Sequence, residues 1–149
     1  MRRRSPLPRK LKTRKRRVVV DTSVLVAGIS GFKETFFPGK NPSADVLYNW
    51  AEERNFLWLI SEDILDEYKV VLKRLRVRSH RIGRIVNLIR DRAEEIEVQY
   101  SVEISPDPGD DPFCLCAEQG KADFLLTLNT RDFPQALLKT RVLSPVDFL

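Results

Sequence analysis

The segment Val18 to Val26, VVVDTSVLV, constrains the fold more than any other part of the chain. Its β-branched residues show no polar alternation. It therefore reads as a strand buried on both faces, broken at Asp21 and resuming at Val24 to Val26. Strands covered on both faces belong to parallel sheets, whose connections are helical crossovers. An unpartnered carboxylate buried in such a strand costs several kcal/mol. Asp21 therefore either meets local partners, such as a backbone amide or the hydroxyls of Thr22 and Ser23, or performs chemistry.

The remaining pattern agrees with alternating strands and helices. Residues 28 to 42 carry Gly31, Pro38, Gly39 and Pro42 and read as a loop; the Phe36-Phe37 pair there reads as a packing plug or a base-stacking platform. Ser43 reads as a helix cap ahead of Ala44, Leu47, Trp50 and Ala51. Phe56 to Ile60 is a short apolar strand. Ser61 then caps a helix with Glu62 and Asp63 in its first turn, running to about Leu75. Ile82, Ile85, Val86, Ile89, Ala93 and Ile96 mark a further amphipathic helix. Val98, Tyr100, Val102 and Ile104 alternate as an extended segment leading into a turn at Pro106-Asp107-Pro108-Gly109. Asp111-Pro112 opens a helix that Gly120 closes. Phe124 to Thr127 is a strand, Gln135 to Lys139 a short helix, and Val142-Leu143 the last strand. The expected architecture is a three-layer α/β/α sandwich around a central parallel sheet.

Composition removes several function classes. Apolar residues make up 42% and charged residues 32%, which fits a globular domain rather than a disordered chain. No apolar run is long enough to span a membrane. Cys114 and Cys116 would point nearly opposite ways on a helix and match no zinc motif, so they fit a reduced, cytoplasmic setting. The single histidine, His80, lies in a basic stretch, which excludes multi-His metal sites within the chain and disfavours His-dependent triads. The glycines form neither a dinucleotide fingerprint nor a phosphate-binding loop. Any catalysis here is expected to rest on carboxylates.

The net charge of +5 is uneven. Residues 1–17 carry ten Lys or Arg and no acid, leaving 16 basic and 21 acidic residues over 18–149. The expected division is therefore a basic, disordered tail over 1–17 and a domain over 18–149. The tail reads as a phosphate-holding arm or as a dispensable extension; its prolines and lack of an apolar face argue against a targeting peptide.

Four acids merit weight. Asp21 falls toward the end of the first strand, where ligands gather in parallel sheets. On the helix after Ser61, with Ile64 at zero, Glu67 falls at about −60°, bordering the stripe of Tyr68, Val71, Leu72 and Leu75. It reads as an acid bordering core and cleft, or as an exposed partner for Lys73 or Arg74. Asp110 and Asp111 open a helix, as caps or as cleft acids. Asp132 follows the strand ending at Thr127. Carboxylates crowded on one edge repel unless a cation joins them, and a hard divalent ion suits oxygen ligands.

VVVDTSVLV, EDILDEYKVVL and DPGDDPFCLCAEQGKADFLLTLNTRDF, in that order, resemble the PIN domain, specifically its bacterial toxin-like branch. The resemblance runs from about Arg17 to the C-terminus. It implies a parallel α/β/α sandwich whose acids bind Mg2+ or Mn2+ and cleave RNA. By position it implies Asp21, Glu67 and Asp111 as metal ligands, with Asp110 the alternative to Asp111. Asp132 would be a fourth catalytic acid, with Asn129 at a polar position that some members fill with an acid. Thr22 or Ser23 would be the hydroxyl supporting the first aspartate. Ser23 stands where many members carry Asn, and Thr127-Leu128-Asn129 departs from the commonest pattern. The resemblance further implies an antitoxin partner and a homodimer.

The expected function is thus a metal-dependent endoribonuclease, the toxin of a toxin-antitoxin pair. The phosphate contacts would come from Lys69, Lys73, Arg74, Arg76, Arg78, Arg81 and Arg84. The alternative is a PIN-like module that binds nucleic acid or a partner without catalysis. A DNA-directed 5′ nuclease needs additional helices, for which the domain leaves little room.

Overall fold

The computed structural model describes residues 14–31, 38–99 and 111–149. Most of the basic tail, Phe36-Phe37, the extended segment from Tyr100, the turn at 106–109 and Asp110 lie outside the described residues. Five strands form one sheet in the order β3-β2-β1-β4-β5. They are β1 Arg16–Val20, β2 Phe56–Ile60, β3 Glu94–Glu95, β4 Phe124–Leu126 and β5 Arg141–Leu143. Every pairing is parallel. The helices are α1 Thr22–Gly31, α2 Pro42–Tyr48, α3 Glu62–Arg74, α4 Ser79–Arg92, α5 Pro112–Gln119 and α6 Pro145–Phe148. They flank the sheet, α5 lying against β1, β2 and β4, and α3 packing on α1, α4 and α5. This is the α/β sandwich that the alternation of elements implies.

The central strands explain the apolar runs. Val18, Val19, Val20, Leu59, Ile60 and Leu125 are fully buried, as a strand covered on both faces requires. Each such side chain contributes about 1.5–3 kcal/mol relative to exposure. Trp50, Trp58, Tyr68 and Phe113 extend this core through edge and tilted ring contacts. Among the described residues no helix is long and apolar enough to cross a membrane.

One expectation fails at Asp21. The strand does not resume at Val24, because α1 begins at Thr22. The Asp21 amide still donates to the Leu126 carbonyl of β4, while its own carbonyl accepts from the amides of Val24 and Leu25. The strand therefore turns into a helix at one residue. The β-branched residues of α1 lower its intrinsic helix preference, and tertiary packing overrides it. Gly28 shows how close that packing is: a Cβ there would stand 2.5 Å from Leu47 Cδ1 and 2.9 Å from the Ser43 carbonyl, so only glycine lets α1 meet α2 this closely.

Smaller corrections follow from capping. Asn41, not Ser43, caps α2: its side chain accepts from the Ala44 amide and donates to the Ala27 carbonyl, with Pro42 in the first turn. Ser43 is buried inside that helix. The chain continues beyond Tyr48 as a wider turn over Asn49–Glu53. Ser61 and Asp111 cap as expected, and Gly120 ends α5. Ile96 lies beyond α4, after the short edge strand β3, a strand its two acidic residues conceal in the sequence. Gln135–Leu137 forms a 3-10 turn rather than a longer helix.

Candidate active site

The strand-to-helix turn puts Asp21 at the carboxyl edge of β1, beside the end of β4. One of its carboxylate oxygens, Oδ2, accepts from the Ser23 hydroxyl at 2.7 Å and from the Thr127 hydroxyl at 2.8 Å. Of the two hydroxyls considered beside it, Ser23 makes the contact. Thr22 Oγ1 is buried and makes no hydrogen bond among the described residues. Thr127 is the partner that sequence reasoning missed. Its signal was present, since a threonine closing an apolar strand on the same edge obeys the logic that singled out Asp21.

Asp111 enters from the cap of α5. Its Oδ1 accepts from the amides of Phe113 at 2.8 Å and Cys114 at 3.4 Å. The residue is exposed overall, but its carboxyl folds back over its own helix. Burial of that carboxyl raises its pKa above the ordinary range; the two amides oppose the rise and the charge of Asp21 adds to it. Asp21 and Asp111 therefore sense each other across a shared cleft of about 360 Å³, which Cys114, Asn129, Asp132, Phe133 and Pro134 also line. Among the described residues no lysine or arginine lines it. Cys114 keeps its proton: burial, joined by the nearby acids, pushes its thiol up to about 12. It is a wall of the cleft and not a nucleophile.

The other expected residues are placed less evenly. Asp132, in a 3-10 turn over Thr130–Asp132, shares the cleft. Glu67 is exposed on α3, is not among the cleft-lining side chains, and makes no ion pair among the described residues. Its neighbour Tyr68 does reach the site's support: the buried hydroxyl donates to the Val20 carbonyl at 2.6 Å and accepts from Trp58 Nε1 at 3.3 Å. That bond pins α3 to the last residue of β1, immediately before Asp21. The basic stretch lies elsewhere. Arg76, Arg78 and Arg81 rim a separate groove floored by Ile29, Leu72 and Val77. It begins where α3 ends, about 20 Å along that helix from the sheet edge. His80 is exposed.

The donor set can be tested against a divalent ion. Asp21 Oδ1 and Asp111 Oδ2 carry no hydrogen bond among the described residues, so two carboxylates each keep one oxygen for a ligand. Among the described residues, no group of three or more His, Cys, Asp or Glu is placed so that it could hold a metal ion, so any ion here would rest on the two carboxylates. Two hard oxygens suit Mg2+ or Mn2+, ions held through one or two carboxylates with other positions left to water and phosphate. The residues fit an open site.

Comparison with known proteins adds to this picture. A family model described as PIN domain matches residues 17–131. Among solved structures, VapBC2 from Rickettsia felis, bound to a DNA fragment from their promoter, resembles this chain with a TM-score of 0.53. The two are 14% identical, over 86% of this chain and 98% of that one, a likeness of fold. A search of curated proteins returns no match.

Proposed function

The chain belongs to the PIN domain family, and from that premise we propose that it is an Mg2+- or Mn2+-dependent endoribonuclease, the toxin of a toxin-antitoxin pair. One observation carries the proposal: Asp21 and Asp111 line one cleft, each with an oxygen that makes no hydrogen bond among the described residues, and none of the described side chains lining that cleft is basic. Like charges brought together without a protein cation call for one from solution. A divalent ion held there would supply the charge that activates a water and stabilises the leaving oxygen of a phosphodiester.

The chain's own residues supply position. Ser23 and Thr127 fix the orientation of the Asp21 carboxylate, and the helix-capping bonds fix that of Asp111. Asp132 adds a further acid to the cleft, where it can orient water or substrate. Glu67, standing outside the lining, has the smallest part of the four. The cleft repels a polyanion, so the affinity for RNA arises from basic residues beyond it, including Lys69, Lys73, Arg74, Arg84 and the tail. The toxin reading draws on the motif resemblance and on the fold shared with VapBC2. An antitoxin partner, a homodimer and a cytoplasmic setting belong to the same proposal.

The second reading, a non-catalytic module binding nucleic acid or a partner, takes its support from the position of Glu67 outside the cleft. RNA cleavage separates the two. Wild type should cut RNA with Mg2+ or Mn2+ and stop when chelator is added. Asp21→Asn should be on the order of 10²–10³-fold slower, the scale of losing one preorganised electrostatic group, and Glu67→Gln less impaired. Cleavage that persists in Asp21→Asn and in chelator sinks the nuclease proposal.

A further inference from the structure

We propose that Thr127 is a positioning residue: its hydroxyl, paired with that of Ser23, selects which oxygen of Asp21 faces the cleft and ties the loop carrying Asn129 and Asp132 to that carboxylate. The proposal rests on the metal-dependent reading above and deepens it.

Four hydrogen bonds carry the inference. Thr127 Oγ1 and Ser23 Oγ both donate to Asp21 Oδ2, at 2.8 and 2.7 Å. The Asn129 amide donates to Thr127 Oγ1 at 3.0 Å, and the Leu128 amide donates to Ser23 Oγ at 3.1 Å. A hydroxyl has one proton and two acceptor positions. With each proton committed to Oδ2, both hydroxyls act toward the loop only as acceptors, and the direction of every bond is set. The two hydroxyl oxygens are 3.5 Å apart, side by side against the same carboxylate oxygen. Oδ2 is thereby occupied by the protein, and Oδ1 is left for a ligand.

Position in the fold gives this pair a second task. Thr127 is fully buried at the end of β4, next to β1. The two amides it and Ser23 accept from open the loop that leads to Asp132. The carboxylate at one strand end and the loop at the other thus move as one unit, although 106 residues separate Asp21 from Thr127. Partners that orient a metal ligand in this way typically carry ~10–100-fold of the affinity for the ion.

The test compares Thr127→Val, which keeps the shape and deletes the hydroxyl, with Thr127→Ser, which keeps the hydroxyl. Mn2+ binding is measured by calorimetry, and amide hydrogen exchange is followed at Leu128 and Asn129 without metal. Thr127→Val should bind Mn2+ ~10–100-fold more weakly and exchange faster at Asn129, and Thr127→Ser should restore both. Ser23→Ala supplies the matching loss, with faster exchange at Leu128, and carries the test if Thr127→Val does not fold. Wild-type Mn2+ affinity in Thr127→Val, or Thr127→Ser as weak as Thr127→Val, overturns the proposal. If wild type binds no Mn2+, the metal reading of the cleft fails; Asn129 exchange then decides the tether alone, unchanged exchange in Thr127→Val overturning it and faster exchange supporting it.

Discussion

At the starts of β3 and β4, Glu94 and Asp123 meet arginines, whereas at the carboxyl edge of the sheet Asp21 and Asp111 meet none among the described residues. Arg17 grips Glu94 through two bonds of 3.0 and 2.8 Å. Arg14 grips Asp123 at 3.0 and 2.9 Å, and the Arg17 amide adds a third bond at 2.8 Å. Arg17 holds the Glu94 carboxyl below the usual range, and Arg14 does the same for Asp123. Asp111 is shifted the other way, chiefly by burial. One residue type thus serves two ends: where a cation is built in, the carboxylate fastens the fold, and where none is, it is free to take a ligand.

Four measurements would break or sharpen that contrast. The largest effect belongs to the cleft. Asp111→Asn keeps a helix cap of equal rank and removes a charge that burial disfavours. It should lose Mn2+ binding and RNA cleavage by on the order of 10²–10³-fold while its thermal midpoint stays level or rises. A fall in midpoint with activity intact would reverse the contrast.

Next is its counterpart, Asp123→Ala. It removes the Arg14 fork and leaves the partly buried Arg17 amide without its acceptor, costing about 1–2 kcal/mol in urea unfolding. Mn2+ affinity should be unchanged. Loss of metal binding with no loss of stability would sink the division of roles.

The pH dependence is the third. Glu118 belongs with the fastening acids: burial raises its pKa, but the amides of Lys139 and Thr140 and the Thr140 hydroxyl outweigh it and hold it low. A carboxyl with a depressed folded pKa adds stability above its unfolded value, about 4, and loses it as pH falls through the folded value. Stability should therefore decline below about pH 4, by roughly 0.5–1 kcal/mol for each of the partly exposed Glu94 and Asp123. Asp111 runs oppositely, its favourable contribution being complete below its unfolded pKa and lost as pH rises through the raised one. Urea midpoints from pH 7 to pH 2, compared between wild type and Glu94→Gln, report this directly, and an equally steep acid decline in the variant would exclude Glu94 from it.

The smallest effect is expected at the exposed pair Arg90–Glu62, 3.0 Å apart. Arg90→Ala should change stability by no more than about 0.5 kcal/mol. A larger change would mean that exposed pairs fasten this fold as firmly as those at the strand starts.

Much of the site was legible because short-range chemistry wrote it. The strand at 56–60 and the caps at Ser61 and Asp111 follow from side-chain period and from hydroxyl or carboxylate oxygens placed before helices. Asp21 stood out because a carboxylate within an apolar run demands an explanation. The end of β1 was not legible, because the residues after Asp21 favour strand locally and yet form a helix that packs closely on α2. Nor was β3, whose two glutamates show no apolar pattern.

The sequence by itself determined the alternation of strands and helices, the parallel sheet that this alternation requires, and the acids able to gather at its edge. Tertiary structure decided which acids are neutralised and which stay open. The fate of a carboxylate depends on groups within a few ångströms, and Asp21, Glu94 and Asp123 each have a side-chain partner that arrives from 77 to 109 residues away. Periodicity and capping act over one or two turns of chain and carry no information across such distances; only folding brings Thr127 to Asp21, and Arg14 to Asp123.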